Sequence, residues 1–213
     1  MEQQQAAAEA PARRAAGGAG VFYSFVPWIV FGVVASPSTW EYAALAALIA
    51  AVGLSARDIA RGRLYVLDLT AIVFFAVITV LALALDRQQL IWLETYAQVI
   101  SNAAVAVVAF ASLLFDPFTA QYARQVTPRE YWHSPVFRHI NVVLTSVWGA
   151  VFAVMAVSTW LAVRTPTASD WLNWVVPVVL LIWAVKFTER YPDEYRERVT
   201  GRVPDRAARP TGR

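Results

Sequence analysis

Glu94, Gln98, Ser101 and Asn102 fall four, seven and eight residues apart, a spacing that lays them along one face of a helix. Polar side chains lined up on an otherwise apolar run can do two kinds of work. They can hydrogen-bond across to neighbouring helices, or line a polar cavity along which a proton, ion or small solute moves. Asp68 is a carboxylate one turn into another apolar run, and it too has two readings. It is either a first-turn acid favoured by the helix dipole and by Arg61 or Arg63, or a functional intramembrane acid. Asp116, Arg124, Glu130 and His133 are the remaining local candidates for acid–base work, and their spacing fits no catalytic motif. His133 has no ligand companion three or four residues away, and His139 is the only other histidine. Cysteine is absent, which removes disulfides, thiolate metal centres and cysteine nucleophiles. A haem held between two helix-borne imidazoles is disfavoured, because both histidines lie in a polar connection. The expectation is no enzyme, no metal and no cofactor.

The elements that must position these residues are apolar runs at 21–36, 39–55, 64–85, 90–115, 140–163 and 171–187. Each is close to the ~17–25 residues that a helix needs to cross a bilayer. Hydrophobic residues make up 58% of the chain and charged residues 15%, and the mean hydropathy is +0.48, which a water-facing domain could not carry. The expected fold is therefore all-α: a polytopic membrane protein with six transmembrane helices. Sixteen of the eighteen Lys and Arg residues fall in the N-terminal arm, the second and fourth connections and the C-terminal end from Lys186 onward; only Arg87 and Arg164 lie in the alternate gaps. That partition places both termini in the cytoplasm. The first run is also open to a signal-peptide reading after Arg13 and Arg14. However, Val33-Val34-Ala35 is a poor cleavage site, and Trp28 and Trp40 border the run as anchors do.

Residues 1–20, rich in Ala, Gln and Gly, are expected to form a disordered arm, 21–187 the membrane domain and 188–213 a cytoplasmic tail. In the tail Pro192 suits a helix start, Gly201 a stop, and Glu194 and Arg198 a pair. Ser38 with Glu41, and Asp86 with Gln89, have capping-box spacing, so the fourth helix should run from Arg87 to Phe115. Pro177 interrupts the sixth run and should free the carbonyl of Asn173. Asn141, Thr145, Gly149 and Ala153 form a small and polar face suited to packing, with the fourth helix as one candidate neighbour; Ala43, Ala47 and Ala51 make a similar ridge.

The connection 116–139 holds three polar–proline pairs, Asp116-Pro117, Thr127-Pro128 and Ser134-Pro135, each suited to an N-cap followed by proline. Thr127 and Glu130 add a capping box, and Val126 and Tyr131 a hydrophobic staple. Phe115, Phe118, Tyr122 and Val126 recur at helical spacing, which predicts an amphipathic helix in the cytoplasmic interface. The segment either turns the chain between crossings or offers a docking surface made of Phe118, Tyr122, Arg124 and Trp132.

The succession Pro117-Phe118-Thr119-Ala120-Gln121-Tyr122-Ala123-Arg124, then Pro128, Trp132, Ser134-Pro135, Phe137, Asn141 and Trp148-Gly149, resembles a group of uncharacterised bacterial multi-pass membrane proteins. In its order of helices the chain is also similar to the intracellular septation protein A type. That resemblance implies the cytoplasmic membrane of a bacterium and a structural, scaffold or assembly role in the cell envelope. The alternative is a small transporter or channel using the Glu94–Asn102 stripe. Expected partners are the bilayer, anionic lipids on the cytoplasmic face and a membrane protein. The net charge of +3 lies on one side and without a stacking stripe, which does not indicate nucleic acid. The topology is tested by single cysteines. Gln5→Cys, Arg129→Cys and Thr211→Cys should resist an impermeant thiol reagent in intact cells, while Gln88→Cys and Thr167→Cys should label. External labelling at position 129 would overturn the arrangement.

Overall fold

The computed structural model describes residues 24–34, 39–63 and 65–201, and every regular element among them is helical. α1 is Ser24–Val34. α2 is Trp40–Ala60, α3 Val66–Ala84, α4 Arg87–Ser112, α5 Phe118–Val126, α6 Pro135–Arg164 and α7 Val176–Thr200. Five helical runs are long and apolar enough to cross a membrane: those of α2, α3, α4 and α6, and the stretch Trp171–Val199 that contains α7. α1 is the described part of the expected first crossing. The N-terminal arm, Ser38 and residues 202–213 lie outside the described residues.

The bundle sorts its side chains as a multi-pass membrane protein does. Leu83, Val107, Ile49, Val80 and Val179 point outward, all more than half exposed. The interior holds aromatic rings, alanines and hydroxyls: Phe31, Phe75, Ala43, Ala47, Ala51, Ala109, Thr145 and Ser158 are buried. Lipid is as apolar as leucine, so branched aliphatic side chains gain little by turning inward. Close helix approach then selects small and polar residues. The alanine ridge of α2 accordingly serves packing inside the chain. α4 and α6 form the most extensive helix pair. A side chain at Gly149 would meet the Phe110 ring of α4 at 3.0 Å, so the small face of α6 does receive the fourth crossing.

α1 is held in the bundle by its aromatic side chains. Phe25 stacks on Trp148 at 4.8 Å and meets Phe152 and Phe118 at 5.3 and 6.4 Å. Trp28 lies 5.0 Å from both Phe74 and Phe75, and Phe31 lies 5.3 Å from Phe75. The rings of α1 thus fill the space between α3, α5 and α6.

Several boundaries follow the sequence closely. Asp86 and Gln89 form the reciprocal capping box, at 2.9 and 3.3 Å. The Ser134 hydroxyl accepts the Phe137 N–H at 3.1 Å, with Pro135 as first helical residue. The other two polar–proline pairs behave differently. Pro117 rather than Asp116 precedes α5, without a side-chain cap, and Thr127-Pro128 opens only the 3-10 turn Arg129–Tyr131, also uncapped. α4 stops at Ser112, three residues before Phe115. The Ser112 hydroxyl donates to the Ala109 carbonyl at 2.7 Å and accepts the Phe118 N–H at 3.2 Å, which closes the turn there.

The sixth run answers its proline with a π-helical turn, Trp171–Val175. The Val176 N–H bonds the Trp171 carbonyl, five residues back, and Pro177 has no N–H to offer. The carbonyl left without its usual donor is therefore Leu172, one residue before the expected Asn173. Ser158 on α6 supplies the missing donor at 2.7 Å. Pro192 does not start a separate tail helix. It lies inside α7, which continues to Thr200 and ends at Gly201 in the left-handed region, φ +61°. Ser158→Ala should orphan the Leu172 carbonyl and lower stability by about 1 kcal/mol. Thermal unfolding of the purified protein in detergent measures this, and an unchanged midpoint would mean that another donor takes over.

Candidate functional site at the α1–α3–α5 junction

Hydrogen bonds engage two of the four residues of the Glu94–Asn102 stripe. The Gln98 amide donates to the Gly32 carbonyl of α1 at 3.2 Å, and the buried Ser101 hydroxyl donates to the Gln98 carbonyl at 3.2 Å. The first joins α4 to α1, and the second stays within α4. Glu94 and Asn102 are half-buried, and no hydrogen bond or ion pair within the described residues engages them.

Polar side chains converge instead where α5 enters the bundle. The Thr119 hydroxyl donates to the Asn141 carbonyl at 2.9 Å and lies 2.9 Å from the Thr145 hydroxyl. Gln121 Oε1 accepts the Val66 N–H at 3.0 Å, satisfying a first-turn donor of α3. The Tyr122 hydroxyl donates to Ser24 Oγ of α1 at 2.8 Å, and its ring stacks on Tyr65 at 4.8 Å. Phe118 and Tyr122 are 1% and 2% exposed. The apolar face of α5 was expected to lie against lipid or a partner; it is covered by α1, Tyr65 and α6. Phe118 and Tyr122 therefore leave the candidate docking surface, because the chain itself occupies them.

Asp68 sits at this junction, half-buried in the first turn of α3, beside the Ser24 and Tyr122 hydroxyls and in the field of Asp58. The arginine expected to reach it does not: Arg63 lies against the Tyr65 hydroxyl. Among the described residues no Lys or Arg forms an ion pair with Asp68. Burial, reinforced by the Asp68 charge, pushes the Tyr122 hydroxyl far above the ordinary tyrosine range, so it stays a neutral donor. Burial, and then Asp58, raises Tyr65 as well.

A second arrangement pins the outer side of α5. Arg124 binds Asp116 through both guanidinium nitrogens at 2.6 and 2.7 Å, and Asp116 holds it firmly in its charged form. The Arg124 and Arg129 guanidiniums lie 5.8 and 5.6 Å from the Trp132 ring centre, and Trp132 Nε1 donates to the Thr127 carbonyl at 2.9 Å. Asp116 and Arg124 are thus joined in an ion pair, while Glu130 and His133 are exposed. Among the described residues no three His, Asp or Glu side chains gather as a metal site would require.

Ser24, Tyr65, Thr119 and Gln121 escaped the sequence reading. Their partners lie 22 to 98 residues away, or across a ring stack, so no local spacing announces them. No protein-family model, curated protein or solved structure matches the chain.

The Tyr122 shift has a sign that can be tested. Its folded value lies above the unfolded value of about 10, so its contribution is complete below that pH and is lost as pH rises past it, when the unfolded chain deprotonates first. Tyr122→Phe should be less stable at neutral pH by about 1 kcal/mol. It should also lose less of its remaining stability than the wild type between about pH 9 and 11. Parallel alkaline losses in the two proteins, followed by melting, would contradict the assignment.

Proposed function

We propose that the protein is a six-crossing component of a bacterial cytoplasmic membrane, with both termini inside, and that it serves assembly or scaffolding in the envelope. The basic ends of α2, α5, α6 and α7 meet at one end of the bundle, since Ser24, Asp68 and Tyr122 join there and His139 of α6 stacks on Tyr195 of α7 at 4.5 Å. Arg87 and Arg164 border the opposite end. This supports the positive-inside orientation and an affinity of the basic end for anionic lipid, worth on the order of 1 kcal/mol per basic residue at the surface. α1, enclosed by three other helices, supports a sixth crossing.

The observation that carries the assembly role is the fixed shape of the connection 116–139. Its inner side is sealed by Phe118, Thr119 and Tyr122, and its outer side is braced by the Asp116–Arg124 pair and the two guanidiniums on Trp132. A surface ordered in advance loses little conformational entropy when it meets a partner. Exposed Arg129, Glu130 and Tyr131, with half-exposed Trp132, are the side chains it presents. The resemblance in helix order to the intracellular septation protein A type, which is associated with the cell envelope, points the same way. The alternative, transport along α4, draws on Glu94 and Asn102, the two stripe residues without partners within the described chain. Glu130→Ala with Tyr131→Ala should leave the melting midpoint nearly unchanged while removing a membrane-protein partner captured by in-cell crosslinking. Unaltered crosslinks, or solute flux through proteoliposomes that Glu94→Gln abolishes, would replace assembly by transport.

A further inference from the structure

Among the described residues Asp68 is a carboxylate without a countercharge, in a part of the chain where uncompensated charge is costly. Its position follows from geometry. α5 stands on the start of α3, with Gln121 bonded to the Val66 N–H at 3.0 Å and Tyr122 stacked on Tyr65. That brings Tyr122 beside the first turn of α3, and the 2.8 Å bond from Tyr122 to Ser24 brings in α1. The groups around Asp68 are the hydroxyls of Ser24 on α1 and Tyr122 on α5, with Asp58 of α2 adding negative field. Tyr65 and Arg63 complete the surroundings, and Arg63 faces the Tyr65 hydroxyl.

Trp28 provides a second, independent observation. It lies one turn beyond Ser24 on the same face of α1, is 8% exposed, and its Nε1–H meets no acceptor among the described residues. Helix side chains lean toward the N-terminus of their helix, which for Trp28 is toward Ser24. A buried N–H of this kind calls for an oxygen that the described residues do not supply.

We propose that Asp68, Ser24 and Tyr122 form a binding site for a monovalent metal cation, sodium or potassium, at the α1–α3–α5 junction. The donor set is oxygen only, as a hard cation requires, and one carboxylate matches one positive charge. Calcium or magnesium would call for more carboxylate ligands than converge here. A water in the cation's shell would give the Trp28 N–H its acceptor. The ion neutralises Asp68 while the Ser24 hydroxyl remains free to accept from Tyr122, so its binding tightens the contact between α5 and the bundle. This site is separate from the outer surface offered above for assembly, and either can fail without the other.

The test uses the full chain in detergent or nanodiscs, with thermal unfolding followed as NaCl or KCl replaces choline chloride at constant ionic strength and pH. The midpoint should rise saturably with one of the two cations, and Asp68→Asn should abolish the rise. Ser24→Ala and Tyr122→Phe should each raise the half-saturating concentration roughly tenfold, the consequence of removing one ligand. If Asp68→Asn does not accumulate, these two variants decide by the same criterion. A wild type indifferent to both cations, a response to pH alone, or unchanged half-saturation in the variants would overturn the site.

Discussion

Inside a bilayer there is no water to satisfy a stray N–H, C=O or hydroxyl, and much of this structure is arranged around that constraint. Many hydroxyls on the helices meet it locally. Thr70, Thr79, Ser146 and Thr159 each donate to the carbonyl four residues back, which fixes nothing beyond their own helix. A second set reaches across: Ser158 to Leu172, Trp148 to Thr188, Gln98 to Gly32, Thr119 to Thr145 and Tyr122 to Ser24. Such bonds contribute only about 0.6 kcal/mol each on average in membrane proteins. Their larger effect is on register. A helix displaced by one turn would leave several polar groups bare at once, so together they select one arrangement among many that bury similar apolar area.

α5 shows how far this selection extends. It is nine residues long, too short to be stable as an isolated helix. Its end residues join neighbouring segments, and its inner face offers one ring to the aromatic cluster of α1 and three polar groups to three different helices. Thr119 goes to α6, Gln121 to α3 and Tyr122 to α1. The helix is thus a wedge between crossings. The Asp116–Arg124 pair on its outer side spans the helix from the residue before its N-terminal proline to its last turn. Both partners are about one-third exposed, so water weakens this pair, and its bidentate geometry matters more than its charge.

What the sequence made legible was whatever depends on neighbours within about one helical turn. The Asp86–Gln89 box, the Ser134 cap and the Gly201 stop need only the correct residue types three or four positions apart. Periodicity placed Phe118 and Tyr122 on one face of α5, although Phe115, counted with them, lies before the helix and is 90% exposed; it cannot say whether lipid or protein covers that face. Asp116 and Thr127 have cap-like residue types, yet tertiary contacts claim their surroundings: the Arg124 guanidinium takes the Asp116 carboxylate, and the Trp132 indole takes the Thr127 carbonyl. The Gln98 contact and the entire Asp68 junction were illegible for a different reason, since their members come from three or four separate helices. The arginines near Asp68 in sequence suggested a partner that the folded chain directs to Tyr65 instead.

α7 poses the opposite problem, a helix that continues where local rules would end it. Proline inside a helix costs about 3 kcal/mol, yet α7 passes through Pro192 well beyond its apolar stretch. Trp183, Phe187, Tyr191 and Tyr195 stack successively at 5.4, 5.0 and 5.9 Å, each pair a few tenths of a kcal/mol on a helix surface. His139 closes the ladder from α6, stacked on Tyr195 at 4.5 Å and 3.3 Å from the Tyr191 hydroxyl. That stack adds about 1 kcal/mol. The sum, about 2 kcal/mol, is comparable with the proline cost, and water can reach the half-exposed carbonyl side at the end of the bundle. The ladder therefore does more than extend a helix. It holds the charged end of α7 against the first turns of α6, immediately after the braced connection, through His139.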